Sequence, residues 1–522
     1  MAEAPLQRRM ITGSVMLATL MQAVDTTIAN VALPSMQGSL SATQDQISWV
    51  LTSYIVATAI MTPPTGFLAE RFGRKKLFLA AVIGFTVSSV LCGLAQNLEQ
   101  MVLFRVLQGA FGAPLIPLSQ AVLLDSYPPE QHGSAMALWG VGVMVGPVLG
   151  PTLGGWLSEY YDWRWVFLIN LPFGVLAWLG ISACVAETPR KQRRFDLFGF
   201  TLLTLAIGAL QMMLDRGELA GWFESTEIVL EAALAAAFGY MFLVHMLTHP
   251  QPFLSPAIFR DRNLVTCLVL IFAVGVIMLA TMALLPPFLQ NLIGYPAVTT
   301  GLLLAPRGMG TMIGMLLVGR LIGRVSPRLL LLLGLSLVAG MLWEMSHFTD
   351  EVSRFALVWT GLVQGIGLGL LFVPLSTVAF STLAPALRTE ATSMYSLMRN
   401  IGGSIGISIV TAQLARGTQA HRAVLAEHVN PLNPRLDEAL LPLAGQLSES
   451  AQLALLDTEL NRQAALLAYL GDFELVMVIT LATMPLLLLL RQPKPKAVAI
   501  SRQTEPEELE AASPPALPQP RS

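Results

Sequence analysis

Long apolar runs are the feature of this sequence that most restricts its fold. A hydrocarbon core about 30 Å thick is crossed by about 20 helical residues. A backbone in lipid must satisfy its own hydrogen bonds, so runs of this length are predicted to be helices. The sequence predicts fourteen membrane spans, at residues 11–33, 49–69, 77–96, 101–124, 135–157, 165–185, 197–214, 226–247, 264–289, 297–318, 329–347, 355–380, 391–413 and 473–490.

The composition agrees with lipid as the solvent. Charged residues make up 12% of the 522 residues and hydrophobic residues 54%. A soluble domain has about 25% charged residues, so this chain has too few to cover a surface in water. The net charge of −2 gives no electrostatic basis for a nucleic-acid partner. The three cysteines lack metal-ligand spacing, and we expect no metal site.

The absence of a GxxxxGK[ST] string in the sequence excludes ATP hydrolysis through a P-loop. HExxH and CxxC strings are absent too. We therefore expect no enzyme and no cofactor, and energy that comes from an ion gradient, such as a proton gradient, from a partner, or from the substrate's own gradient. The membrane potential supplies about 2.3 kcal/mol per charge at 100 mV.

The distribution of Lys and Arg predicts the orientation. With a cytoplasmic N-terminus, the inside segments hold about three times as many of the 31 Lys and Arg residues as the outside segments. This bias predicts two cytoplasmic termini and an even number of spans. Arg8 and Arg9 precede the first span without a small-residue cleavage site, so that span is predicted to be retained.

A faint internal repeat divides the chain. GFLAERFGRKKL at 66–77 aligns with GRLIGRVSPRLL at 319–330, and QGAFGAPLIPLS at 108–119 aligns with QGIGLGLLFVPLS at 364–376. Two parallel six-helix halves with a two-helix insert explain this pattern. Parallel repeats of this kind place a substrate site between the halves, near the bilayer midplane.

The predicted domain organisation follows from the repeat, with two soluble segments. The loop 414–472 has a helical Leu/Ala-rich pattern whose apolar stripe requires a partner. The Pro- and Glu-rich tail is predicted to be disordered. The predicted parts are a cytoplasmic N-terminus at 1–10, a first half at 11–185, two extra helices and linkers at 186–263, a second half at 264–490 that includes periplasmic loop 414–472, and a cytoplasmic tail at 491–522.

Asp25 and Arg105 are the candidate proton-coupling residues. Asp25 lies in the middle of the first span, where hydrocarbon favours the neutral, protonated carboxyl. Arg105 lies in the fourth span and keeps its charge, so it needs a counter-charge that Asp25 could supply. Separation of the pair would let Asp25 take up a proton. The alternatives are an Asp that only packs helices and a fixed structural ion pair.

Other polar residues within the spans are candidates for the substrate cavity. Arg307 and Arg399 are flanked by small residues, and each is predicted to pair with an ion, bind an anionic group or anchor helices. Six uncharged polar residues are predicted either to line the cavity or only to pack helices against one another. These candidates are Gln22, Asn30, Gln108, Gln120, Gln364 and Asn400.

Two glycine-rich strings predict close helix packing and a tight turn. In GVMVGPVLGPTLGG, the glycines recur every four residues and form one smooth helix face, while the prolines bend the span. This string contains Gly142, Gly146, Pro147, Gly150 and Gly154. In GFLAERFGRKK, the glycines are predicted to permit a tight reversal between two spans. This second string contains Gly66, Glu70, Arg71, Gly73 and Arg74.

These strings resemble motifs of the major facilitator superfamily, in its fourteen-span drug:proton antiporter branch. The loop string is similar to the family's loop motif, with Glu70 where Asp is more usual, and FRVLQGAFGAP is similar to its buried-arginine motif. GVMVGPVLGPTLGG resembles the antiporter motif, which implies export. VDTTIANVALP and WRWVFLINLPFG resemble signatures of the branch. The resemblance implicates Arg105 in proton transfer.

The predicted function is proton-driven export of hydrophobic or amphipathic drugs and toxic compounds across the bacterial inner membrane. LQMMLDRGELAGWF at 210–223 and the long loop resemble Gram-negative multidrug exporters. This resemblance implies a periplasmic adaptor of the membrane-fusion type and an outer-membrane channel as partners. An exporter dedicated to one metabolite and a non-transporting membrane scaffold remain alternatives.

Overall fold

The computed structural model describes residues 5–190, 195–322, 324–384, 387–427, 429 and 448–490. The predicted all-α fold is confirmed, because helices account for nearly all of these residues. The helices of the first part of the chain are α1 (Pro5–Ser39), α2 (Gln44–Ile47), α3 (Trp49–Met61), α4 (Thr65–Phe72), α5 (Arg74–Gly93), α6 (Leu98–Gly112), α7 (Leu115–Ser126), α8 (His132–Tyr160), α9 (Trp165–Leu168) and α10 (Asn170–Cys184).

The rest of the described chain continues as long helices joined by short turns. A π-helical turn, Phe288–Leu292, follows two consecutive prolines, which remove backbone donors and end the regular helix. The remaining helices are α11 (Leu197–Arg216), α12 (Thr226–Thr248), α13 (Arg262–Pro287), α14 (Ala297–Leu321), α15 (Pro327–Met345), α16 (Arg354–Ser381), α17 (Arg388–Glu427) and α18 (Glu449–Thr483).

Twelve helical stretches of the described chain are long and apolar enough to cross a membrane, and two of them join consecutive helices, α6 with α7 and α9 with α10. All fourteen predicted spans fall on helices, but two of them do not reach this standard. The second predicted span is interrupted between α3 and α4 at Pro63 and Pro64, which leaves α3 with 13 residues. The thirteenth lies on α17, which has 40 residues but is too polar. The number fourteen therefore stays a prediction.

Helix packing positions the buried polar residues. α1 packs against α7, α8 and α10, and α3 packs against α6, so that helices distant in sequence surround the middle of α1. α8 also packs against α14, where Gly140 lies beside Met315 and Gly308 beside Val148. These glycines allow the first and second predicted halves to approach closely.

The predicted soluble segments are described only in part. α17 continues to Glu427 and α18 begins at Glu449, so helix extends into both ends of the predicted loop 414–472. Residues 1–4, 430–447 and the predicted tail 491–522 lie outside the described residues. The division into two halves and an insert is untested and stays a prediction.

Candidate functional site

A fully buried network of hydrogen bonds surrounds Asp25. Arg105 Nη1 donates to Asp25 Oδ2 at 2.8 Å and forms an ion pair with it. Gln108 Nε2 and Asn170 Nδ2 donate to Asp25 Oδ1 at 2.8 and 2.9 Å. Asp25 and Arg105 each have 0% exposure. Three helices, α1, α6 and α10, therefore meet at one carboxylate.

The guanidinium of Arg105 is held on several sides. Its Nε donates to Val50 O at 3.0 Å, and Nη1 also donates to Gln108 Oε1 at 2.7 Å. The guanidinium carbon lies 4.2 Å from the centroid of the Tyr54 ring and 5.6 Å from that of Phe167. Cation–π contacts of this kind stabilise a desolvated cation by about 2 kcal/mol. The charge of Arg105 is thus compensated without water.

Sequence reasoning missed three members of this network. Asn170 begins α10 and donates to Ser89 Oγ at 2.9 Å as well as to Asp25, while Tyr54 comes from α3. Asn170 lies in the signature WRWVFLINLPFG, which was the available signal for it. Ser89 and Tyr54 carry no signal, because uncharged polar residues are frequent in these spans.

The other predicted cavity residues do not form one cluster around Asp25. Gln108 is part of the network, and Gln22 is buried one turn before Asp25 on α1. Gln120 and Gln364 are buried on α7 and α16. The remaining two, Asn30 and Asn400, are exposed and half-buried respectively.

The glycine face of α8 packs directly on α1. A Cβ atom built on Gly146 would lie 2.6 Å from the backbone carbonyl carbon of Ala23, and one on Gly154 would lie 2.9 Å from Ile28 Cγ1. Gly142 faces Met16 and Gly150 faces Thr27 in the same way. Pro147 lies on this helix, but its side chain is outside the described residues. The four glycines form the predicted smooth face.

We expect Gly146→Ala to destabilise the protein by about 1–3 kcal/mol, because the new methyl group must push two helix backbones apart. Gly155→Ala is the matched control on the same helix, since its Cβ would lie 4.0 Å from the nearest atom, Val31 Cγ1. That control should gain stability by up to about 1 kcal/mol from helix propensity. Thermal unfolding in detergent measures both. Equal effects of the two substitutions would contradict close packing of the glycine face of α8 on α1.

The predicted turn motif is only partly a turn, and the expectation for Gly66 was wrong. Gly66 lies inside α4, because the helix begins at Thr65, and its Cβ would lie 2.7 Å from the Cα of Glu390 at the start of α17. The reversal occurs at Gly73 alone, where φ is +93°. Gly66 thus permits contact with α17, and Gly73 permits the turn.

The other residues of the motif lie at the same end of the bundle. Arg74 forms an ion pair with Asp125, which also pairs with Arg388 of α17 at 2.6 Å. One carboxylate therefore links the first predicted half to the second. Glu70 is half-buried in α4, and Arg71 is exposed with its guanidinium 5.6 Å from the centroid of Phe72.

Arg307 and Arg399 have no described acidic partner. Arg307 is 8% exposed and donates to Met278 O at 3.3 Å. Arg399 is half-buried on α17, at the level where the backbone of that helix contacts Gly275 of α13. The salt bridges of the described residues include neither arginine.

Asp472 is a second buried acid that sequence reasoning missed. The predicted last span began one residue later, whereas α18 starts at Glu449 and carries Asp472 in its interior. Asp472 has 0% exposure, and within the described residues neither carboxyl oxygen has a hydrogen-bond donor. Its neighbours in sequence, Tyr469 and Phe473, pack edge-to-face against Phe288 at centroid distances of 5.4 and 6.0 Å.

We expect Asp472→Leu to raise the stability of the protein by about 1–3 kcal/mol, because burial of a polar group without a partner is unfavourable. Asp472→Asn keeps polar atoms at the same place and should gain less. Thermal unfolding of the purified protein measures the difference. A lower unfolding temperature for the leucine variant would show that the carboxyl makes a stabilising interaction.

The apolar helices and the buried ion pair define a multi-pass all-α membrane protein. The chain belongs to the major facilitator superfamily, since the sequence model of that family matches residues 15–407. The predicted family is confirmed.

Several relatives are similar over most of their length. The fatty acid resistance protein FarB of Neisseria gonorrhoeae is 36% identical over 486 residues, which cover 92% of this chain and 96% of that protein. The multidrug export protein EmrB of Escherichia coli (strain K12) is 38% identical over 438 residues, which cover 83% of this chain and 86% of that protein.

Solved structures show the same fold at low sequence identity. The human organic anion transporter MFSD10 has a TM-score of 0.58 at 15% identity, covering 92% of this chain and 100% of that one. The proton:xylose symporter XylE has a TM-score of 0.58 at 14% identity, and the match covers 94% of this chain and 100% of that one. At these identities the likeness concerns the fold alone.

Proposed function

We propose that this protein exports hydrophobic or amphipathic small molecules across the bacterial inner membrane in exchange for protons. The observation that carries the proposal is the ion pair of Asp25 with Arg105, which has no exposure to solvent and joins helices α1 and α6. A buried ionisable pair of this kind is expensive in a membrane protein and is characteristic of ion pathways. The similarity to the multidrug export protein EmrB supports a broad range of substrates.

The proton cycle follows from the chemistry of the pair. With Asp25 charged, Arg105 and two amide donors bind the carboxylate. A proton on Asp25 cancels its attraction to Arg105, and the two helices are then free to separate. Substrate entering from the cytoplasmic side favours the charged form, and the proton returns from the outside. Each cycle would exchange substrate for at least one proton.

Partners and location are part of the proposal. We propose both termini in the cytoplasm, because the segments on that side hold most of the Lys and Arg residues. A periplasmic adaptor of the membrane-fusion type and an outer-membrane channel would complete the export route. The helices that extend into residues 414–472 supply an external surface for such an adaptor.

Flux into proteoliposomes tests the function. With the lumen acidic, inside-out protein should accumulate a lipophilic dye such as ethidium, and a protonophore should release it. Liposomes without protein are the control. Transport of a single compound from a chemically varied panel would favour the dedicated metabolite exporter. No protein-dependent movement of any compound would favour the scaffold and contradict the proposal.

A further inference from the structure

The internal repeat places a second polar centre in the second half. Gly66 aligns with Gly319 at an offset of 253 residues, and Gln108 aligns with Gln364 at an offset of 256. The first offset applies to the helices at the start of each half, and the second to the fourth helix of each half. Applied to the buried network, they give second-half equivalents for Asp25, Tyr54, Arg105 and Gln108.

These equivalents also lie together in space. Asp25 corresponds to Met278, and Tyr54 corresponds to Arg307. Arg307 Nη2 donates to the backbone oxygen of Met278 at 3.3 Å, so the equivalents on α13 and α14 are in contact. Arg105 corresponds to Gly361 on α16, and a Cβ there would lie 3.7 Å from Arg307 Cβ. The second centre thus keeps a guanidinium, supplied by a different helix.

The second centre lacks an acid. Met278 stands where the first half has Asp25. Gln364, the equivalent of the Asp25 donor Gln108, has 0% exposure, and both its amide atoms are without a partner among the described residues. Within the same part of the chain, the one hydrogen bond of the Arg307 side chain goes to a neutral carbonyl. A cation and an amide are present, and no carboxylate among the described residues binds either of them.

Arg307 lines a small, mostly apolar cavity in the predicted second half. Leucine and methionine side chains from α13, α14, α15 and α16 form most of its wall. Thr360 and Gly361 of α16 also line it, and Gly361 lies beside Arg307. Leu285, Leu289 and Leu303 extend the lining along α13, its π-helical turn and α14, away from the basic loops. A cavity lined by a single cation and otherwise mostly by apolar side chains matches an anion with a hydrocarbon tail.

We propose that Arg307 binds the carboxylate of an amphipathic monocarboxylate, whose alkyl chain occupies the leucine-lined cavity. The guanidinium keeps its charge when buried and binds carboxylates through paired hydrogen bonds. The void beside Arg307 is small, so the alkyl chain requires leucine and methionine rotamers to change. The ligand carboxylate takes the place that Asp25 has in the first half. That this ligand is also transported rests on the proposed function, whereas its binding at Arg307 does not.

Equilibrium binding to the full chain in lipid nanodiscs tests this site. The probes are radiolabelled dodecanoate and dodecyltrimethylammonium, which have the same alkyl chain and opposite charge. Arg307→Gln should weaken dodecanoate binding by at least about tenfold, the effect of one lost charge-assisted contact. The same variant should bind the ammonium probe at least as tightly as the wild type does. Arg307→Lys keeps the charge and should give intermediate dodecanoate affinity.

Arg320→Gln is the matched control, because Arg320 lies exposed on the same helix and the chemical change is identical. It should leave dodecanoate affinity unchanged. Wild-type affinity of Arg307→Gln for dodecanoate would overturn the proposal, as would an equal loss for both probes. A third outcome would also overturn the proposal. If chloride stabilises the wild type but not Arg307→Gln, and dodecanoate binding is the same in both, the site binds an inorganic anion. Failure of proton-driven flux would leave these binding results intact.

Discussion

Proton-driven export is expected to be lost when Asp25 is replaced by asparagine. Asparagine has nearly the same shape and stays neutral, so it imitates the protonated carboxyl and cannot release a proton. The variant should still bind substrate and exchange it across the membrane without a gradient, because neither step requires net proton transfer. Dye accumulation in proteoliposomes with an acidic lumen should fall to the level of liposomes without protein.

Asp162→Asn is the matched control for this substitution. Asp162 lies in an exposed turn and pairs with Arg164 at 3.5 Å, so the same chemical change there should leave export unchanged. Measurement of dye exchange at equal pH separates an uncoupled variant from an inactive one. Full gradient-driven accumulation by Asp25→Asn would show that another group couples proton movement to export.

Replacement of Arg105 by leucine is expected to destabilise the protein by about 3–5 kcal/mol, because it leaves the carboxylate of Asp25 buried without its cation. Both side chains are at most 1% exposed, so water cannot replace the lost partner. Gln108 and Asn170 still donate to Asp25 and limit the loss. Thermal unfolding of purified protein in detergent measures the change.

The double variant Asp25→Asn/Arg105→Leu distinguishes the pair from simple packing. Removal of both charges eliminates the uncompensated carboxylate, so the double variant should be more stable than Arg105→Leu alone. A coupling energy above about 1 kcal/mol is expected for groups in one network. Additive effects of the two substitutions would show that Asp25 and Arg105 stabilise the fold independently.

The two halves use buried charge differently. In the first half, Asp25 receives three donors, and Arg105 is enclosed by a carboxylate, an amide and two rings. In the second, Arg307 and Asp472 each lack an oppositely charged partner among the described residues. In our proposals, the first centre carries a proton on the chain itself, whereas Arg307 in the second half binds an anion supplied from outside.

Lipid as the solvent, the positions of most helices and the family could all be predicted from local properties of the sequence. Hydrophobicity over 20 residues is a local property, and so is the four-residue spacing of the glycines that face α1. The choice of Asp25 and Arg105 also came from the sequence, because charges within apolar runs are rare enough to identify singly.

Contacts between side chains that are distant in sequence could not be predicted and became known from the three-dimensional structure. The pairing of Asn170 with Asp25 spans 145 positions, and the link from Asp125 to Arg388 spans 263. Such contacts depend on how helices pack across the bundle, and local hydrophobicity carries no information about that packing. The position of Asp472 inside α18 was missed for a related reason. α18 begins at Glu449, well before the apolar run, and the start of the apolar run does not mark the start of the helix.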